Sequence, residues 1–298
     1  MQNQPRWTVL GVPIDSVGTV EGGPASGTER SPAALRAAGL VVRVGADDVG
    51  DLDVRITGSR RDPSSGLVGG ATVAPVVAEV RRAVARLLED GRRPFVVGGC
   101  CALVVGAVPA VRDVLGDVAL LHVDGHLDLY DHRTSPTGEV ADMPVALLLG
   151  IGEPGLLAAS APAPLDGGSV VVLGARDPDE PHDVADVVES VGLVTIGPDD
   201  VRSDAVAAAQ RALDHVQGRP VWVHLDVDVL DQDAFPATDY LLPGGLSLDE
   251  LVDLLRPLAS SGAVVGFSVA CYNPDKDPDG RWGDELVGLL SGAFGGTS

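Results

Sequence analysis

Short, continuously apolar runs alternate along this chain with longer stretches of helical spacing. The apolar runs predict strands over residues 7–12, 93–97, 118–123, 169–173, 192–196, 220–227 and 263–269. Helical spacing predicts helices over 32–38, 73–88, 98–114, 143–149, 203–216, 248–258 and 284–293. Ser31 is placed as the N-cap of the first, with Pro32 at the first helical position, and Ser247 caps the helix that opens at Leu248. Residues 57–70 read as a polar, Gly-rich surface loop. Apolar strands separated by helices imply a parallel sheet covered on both faces, with ligands bound beyond the carboxyl ends of the strands.

Two bursts of ligand-type side chains stand at such ends. Asp124-Gly125-His126-Leu127-Asp128 follows the run at 118–123, and Asp226-Val227-Asp228 ends the run at 221–225. Alternate residues of an extended segment point to one side, so Asp124, His126 and Asp128 can converge, as can Asp226 and Asp228. Carboxylates that close repel one another and are costly to desolvate, which makes a cation their natural neutraliser. The two clusters are read as halves of one metal site. Gly98-Gly99-Cys100-Cys101, after the strand holding Phe95, reaches the same sheet edge.

Composition narrows the setting. The 298 residues are 45% hydrophobic, enough for a large core, and no linker or internal repeat divides them, so one α/β domain over 1–298 is expected. A net charge of −22, with Lys276 as the only lysine, argues against nucleic acid and against an anionic membrane surface. The N-terminus lacks the basic and apolar regions of a signal peptide, and no apolar run approaches the roughly 20 residues of a bilayer span. Three cysteines, two of them adjacent, make a poor disulfide framework and suit a reducing cytoplasm.

Taken in order, the motifs resemble those of the ureohydrolase superfamily of arginases and agmatinases. Asp124-x-His126-x-Asp128 is similar to the family's first metal motif. Asp226-Val227-Asp228-Val229-Leu230-Asp231, with Pro236-Ala237-Thr238 and Pro243-Gly244-Gly245-Leu246, is similar to the second. Gly23-Pro24 and Ser31-Pro32-Ala33-Ala34-Leu35-Arg36 resemble the N-terminal segment, Gly174-Ala175-Arg176-Asp177-Pro178-Asp179 the mid-chain Gly-x-Arg-Asp loop, and Tyr272-Asn273-Pro274 the late Asn-Pro motif. The resemblance covers nearly the whole chain. It implies a three-layer α/β/α sandwich around a mostly parallel sheet of about eight strands, a homo-oligomer (trimer or hexamer), and a binuclear manganese site. In that family a metal-bridging hydroxide attacks a guanidinium carbon and urea leaves. By carry-over, Asp124 and Asp226 would bridge the two ions, Asp128 and Cys101 would complete one position, and His126 and Asp228 the other.

Three departures qualify what the resemblance implies. Cys101 stands where the family has a histidine ligand; it is either a ligand, in which case zinc or iron becomes suitable, or a small buried filler. Ala141 stands at the family's proton-transfer histidine, leaving Asp128, Asp142 and His132 as candidates for acid–base work, with Glu139 nearby. Cys271 replaces the glutamate that pairs with guanidinium, so a hydroxyguanidino or ureido substrate suits the site better than a strongly basic guanidine. Asp179, Cys271 and Asn273 are the expected substrate-facing residues. His224, two residues before Asp226, is either a partner of the ligands or a core histidine; His122 is read as core. The expected activity is hydrolysis of a linear amidine C–N bond in a small molecule. The alternative is a non-catalytic or regulatory paralogue with an incomplete metal site.

Overall fold

The computed structural model describes residues 6–16, 27–160, 165–177 and 184–295. Eight strands are found among them: β1 (Trp7–Val12), β2 (Asp47–Asp51), β3 (Arg93–Gly98), β4 (Ala119–Val123), β5 (Val170–Leu173), β6 (Val194–Ile196), β7 (Val221–Asp226) and β8 (Val264–Ala270). They form one sheet in the order β2-β1-β3-β8-β7-β4-β5-β6, and every pairing is parallel. Every residue of β1, β3, β4, β5 and β7 is buried, as strands covered on both faces require.

The helices are α1 (Ser31–Ala37), α2 (Leu40–Arg43), α3 (Val73–Glu89), α4 (Val104–Leu115), α5 (Pro144–Leu148), α6 (Pro154–Ser160), α7 (Val184–Val191), α8 (Pro198–Ser203), α9 (Ala205–His215), α10 (Leu248–Ser260) and α11 (Arg281–Phe294). α3, α4 and α6 pack together in one layer; α9, α10 and α11, with α2 alongside, pack together in the other. The result is the three-layer sandwich expected from the sequence. An aromatic knot ties α11 to the sheet, with the Phe294 ring 4.4 Å from Phe267 and 5.3 Å from Phe95, centroid to centroid. Among the described residues no helix is long and apolar enough to cross a membrane.

Several boundaries differ from the sequence reading. Ser31 lies inside α1, and its side chain does not cap it; Arg30, closing a 3₁₀ turn at Thr28–Arg30, takes the N-cap position. The predicted helix 203–216 breaks at Asp204, whose side chain accepts from the Ala207 amide at 2.9 Å and so starts α9 afresh. At α10 the expected Ser247 cap is a full capping box, closed by Glu250. β2 is absent from the sequence reading because Asp-Asp-Val-Gly-Asp has no apolar run. It is an exposed edge strand, held to α1 by the Arg36 guanidinium on Asp48 and Asp51.

Chain order places the site. The chain builds β1, β2 and β3 at one side, skips two positions to lay down β4, β5 and β6, and returns to fill the gap with β7 and β8. The carboxyl ends of β3, β4, β7 and β8 therefore lie side by side at the point where the strand order reverses, the usual ligand position in such sheets.

Candidate metal centre

Those four strand ends carry Cys101, Asp124 to Asp128, Asp226 with Asp228, and Cys271. Gly99 lets the β3 end fit: a Cβ there would stand 1.5 Å from the Ile14 carbonyl oxygen. Its own carbonyl accepts from the Cys271 amide at 2.7 Å, which joins the β3 and β8 ends. Asp128 and Cys271 are the non-glycine residues with left-handed backbone among the described ones, at φ 54° and 67°. Uncommon backbone of this kind concentrates where side chains must be aimed.

Asp124, Asp128, Asp226 and Asp228 are each no more than 4% exposed. His126 Nδ1 lies 3.4 Å from Asp124 Oδ1 and 3.2 Å from Asp228 Oδ2. His122 Nε2 lies 3.0 Å from Asp124 Oδ2 and 3.1 Å from Asp128 Oδ2. The Cys101 thiol donates to Asp226 Oδ2 at 2.7 Å and lies 3.2 Å from His224 Nε2. Donor atoms fall into four groups, each within 4.8 Å: Cys101–Asp124–His224, Cys101–Asp226–Cys271, His122–Asp124–Asp128 and Asp124–His126–Asp228.

Without a cation, protons must balance this charge. Burial alone would lower His122, but the Asp124 and Asp128 carboxylates push it up to about 10. His126 is likewise raised by Asp228 and Asp124 against its burial. Burial and the Asp124 charge push Asp128 up to about 8, and burial with the Asp228 charge holds Asp226 well above the carboxylate range. The donor set fits divalent cations. It is rich in hard oxygen and imidazole, with Asp124 Oδ2 fully buried against His122 Nε2.

The centre floors a cavity of about 340 Å³. His126, Asp128, Asp226, Asp228 and Cys271 reach its lining, as do Asp142, Glu139 and Ala141. Asp142 Oδ2 accepts from Ser135 Oγ at 2.7 Å and Thr137 Oγ1 at 3.1 Å, while Oδ1 is buried without a partner; burial pushes this carboxyl up to about 7. Tyr240 donates to Glu139 Oε2 at 2.8 Å across the cavity wall.

Other sequence candidates are placed elsewhere. His132 is not in the lining; its carbonyl accepts from Arg61 Nη2 at 2.9 Å. Asn273 is not in the lining either. Its Nδ2 donates to Asp239 at 2.9 Å and its Oδ1 accepts from the Asp275 amide at 3.0 Å, so it braces two loops. Asp179 and Gly23-Pro24 lie outside the described residues. Arg176, in the Gly-x-Arg-Asp loop, donates to the carbonyls of Asp228, Val229, Leu230, Leu242 and Pro243, and so fixes the loop that carries Asp228.

The sequence reading took His122 as core and did not join it to the carboxylates. Its signal was present: His122 stands two residues before Asp124, as His224 stands two before Asp226, so each shares its aspartate's side of the strand. The register pairs His122 with His224 and His224 with Ser268, making one polar row across β4, β7 and β8 under the carboxylates.

Comparison with known proteins agrees with this layout. A family profile described as "Arginase family" matches residues 5–287. Arginase of Staphylococcus aureus is 26% identical over 298 residues, covering 96% of this chain and 98% of that one. The crystal structure of arginase from Bacillus cereus superposes with a TM-score of 0.85 at 26% identity, covering 98% of this chain and 99% of the other. Formimidoylglutamase from Bacillus subtilis shares the fold at 19% identity, with a TM-score of 0.77 over 99% of this chain and 88% of its own. A profile match over almost the full length, joined to the ordered acidic clusters at four neighbouring strand ends, means that this chain belongs to the arginase family.

Proposed function

We propose that this protein is a divalent-cation-dependent hydrolase of a linear amidine C–N bond, acting on a guanidino, hydroxyguanidino or ureido compound. The observation that carries this reading is the convergence of four buried carboxylates and two imidazoles at the base of a cavity, whose lining Asp128, Asp226, Asp228 and His126 reach. Asp124, His126, Asp128, Asp226, Asp228 and Cys101 would hold two ions, with manganese the first choice for the oxygen-rich part. When bound, the ions supply Lewis acidity and an activated water near neutral pH.

The chain's own groups do the rest. Among the described residues no arginine or lysine lines the cavity, while Glu139, Asp142 and Asp177 join the aspartates there, so the wall suits a neutral or cationic substrate and repels a carboxylate. Asp142, with its carboxyl raised to about 7, is placed to hold or pass a proton at its unbonded Oδ1, where family members use the histidine that Ala141 replaces. Cys271 offers a thiol to the cavity rather than a carboxylate, which favours a weakly basic amidine over a fully charged guanidinium.

The test is reconstitution with Mn²⁺ and assay of urea or urea-analogue release over a panel of such compounds. Turnover by the loaded protein that is lost on chelation supports the reading. Absence of turnover across the panel with two ions bound overturns it. A second reading, a non-catalytic paralogue, is favoured by Ala141 and Cys271 in the cavity lining; protein that neither retains nor takes up metal on dialysis supports it.

A further inference from the structure

Family carry-over would join Cys101 with Asp128 in one metal position. The geometry groups them differently. Asp128 belongs with His122 and Asp124, whereas the donors gathered around Cys101 are Asp226 with Cys271, and Asp124 with His224. Cys101 Sγ and Cys271 Sγ stand 3.5 Å apart, both buried and both free of disulfide. Cys271, with its left-handed backbone, reaches both the cavity lining and Cys101.

His224 backs the corner from behind Cys101. It is fully buried on β7, with Nε2 3.2 Å from Cys101 Sγ and Nδ1 2.8 Å from Ser268 Oγ. Ser268 Oγ also accepts from Trp222 Nε1 at 2.9 Å. With its own proton given to Asp226, the Cys101 sulfur accepts from His224 Nε2, and Ser268 Oγ donates to Nδ1, so His224 orients Cys101.

We propose that Cys101, Cys271 and Asp226 form a sulfur-rich metal position that takes Zn²⁺ in preference to Mn²⁺, making the centre a mixed one, with a soft ion here and a hard ion at Asp124, His126 and Asp228. The spacing agrees with the chemistry. Two sulfurs bound tetrahedrally to zinc at about 2.3 Å stand roughly 3.8 Å apart. The observed Sγ–Sγ distance of 3.5 Å needs to open by only a few tenths of an ångström. Two thiolates in one position select zinc over manganese. Both thiols lose their protons to solvent as the ion binds, so no oxidant or reductant is required. The inference rests on the metal reading of this site, but its test reads metal–ligand bonds rather than turnover, so either can fail alone.

The experiment uses the full chain, stripped of metal under reducing conditions and reloaded with Zn²⁺ or with Co²⁺ as its spectroscopic stand-in. Zinc-edge X-ray absorption is expected to show two sulfur neighbours at about 2.3 Å, and Co²⁺ to give a thiolate charge-transfer band in the near ultraviolet. Cys271→Ser should leave one sulfur, and the Cys101→Ser/Cys271→Ser double variant none. Ser268→Ala should weaken zinc binding roughly 10-fold or more while keeping both sulfurs. Zinc surrounded only by oxygen and nitrogen in the unmodified protein overturns the proposal, as does a Cys101–Cys271 disulfide persisting in reductant with no zinc uptake. Those two results need no variant to fold.

Discussion

His122 Nε2 sits between two carboxylates, 3.0 Å from Asp124 Oδ2 and 3.1 Å from Asp128 Oδ2, and its ring stacks 5.1 Å from that of His224. A buried imidazole in this place aligns two acids that would otherwise repel. Its role is positioning. His122→Asn is expected to lower divalent-cation affinity by roughly 10- to 100-fold, the usual effect of removing a group that orients ligands. Equilibrium dialysis with the folded variant checks this; unchanged affinity would assign His122 to packing alone.

Asp226 should show opposite effects with and without metal. Burial and the Asp228 charge raise its carboxyl well above the ordinary range, so the ionised form is a liability in the cation-free protein. Asp226→Asn keeps an acceptor for the Cys101 thiol and removes that liability. In chelator its Tm should equal or exceed that of the parent. In Mn²⁺ at a hundredfold excess over Kd the parent should gain about 2.7 kcal/mol and the variant much less. Equal metal-induced shifts in scanning calorimetry would count against Asp226 as a ligand.

Asp124→Ala and Asp228→Ala should each abolish amidine hydrolysis by the metal-loaded protein. Asp228 also accepts from the Gly125 amide at 3.1 Å and from its partner His126, so its loss should loosen the β4 end as well. Product release measured by a urea assay, beside a circular dichroism check of folding, decides this; residual activity within tenfold of the parent would contradict the proposed ligand roles.

Asp142 gives a signed pH dependence. Its folded carboxyl is raised to about 7 by burial, against the usual 3.8 of an exposed one. Between those values the unfolded chain has released a proton that the folded protein still holds, so stability falls as pH rises through this window and levels off above it. The penalty is at most about 4 kcal/mol. Asp142→Asn should therefore be no more stable than the parent near pH 4 and more stable near pH 8, by denaturant titration. If Asp142 also passes the proton, the same variant loses turnover.

Arg176 offers a check on the frame around the centre. Its guanidinium serves five carbonyls in two loops. Lysine cannot span them, so Arg176→Lys should cost about 2–3 kcal/mol, and Arg176→Met more, since carbonyls are left without partners. A change under 0.5 kcal/mol in urea denaturation would mean that water takes over the bonds.

The amino-acid order alone determined the strands buried on both faces, most helices, and the two acidic clusters, because each is written locally. Apolar runs mark a covered strand, and Asp-x-His-x-Asp is a local run of ligand-type residues. Its convergence does not come from strand alternation, since β4 ends at Val123, Asp128 has left-handed backbone and Asp228 sits in a 3₁₀ turn at Val227–Val229. β2 escaped because an exposed edge strand needs no apolar run, and the break at Asp204 because a polar cap interrupts an otherwise continuous helical pattern. Tertiary structure alone decided which distant residues meet. Cys271 reaches Cys101 across 170 positions, since β8 is laid beside β3 only after the rest of the sheet is built. The His122–His224–Ser268 row depends on the register of three strands, and Asn273 was turned from the cavity by Asp239 on another loop. Periodicity fixes the side of a strand on which a residue points; only the assembled sheet fixes what stands opposite it.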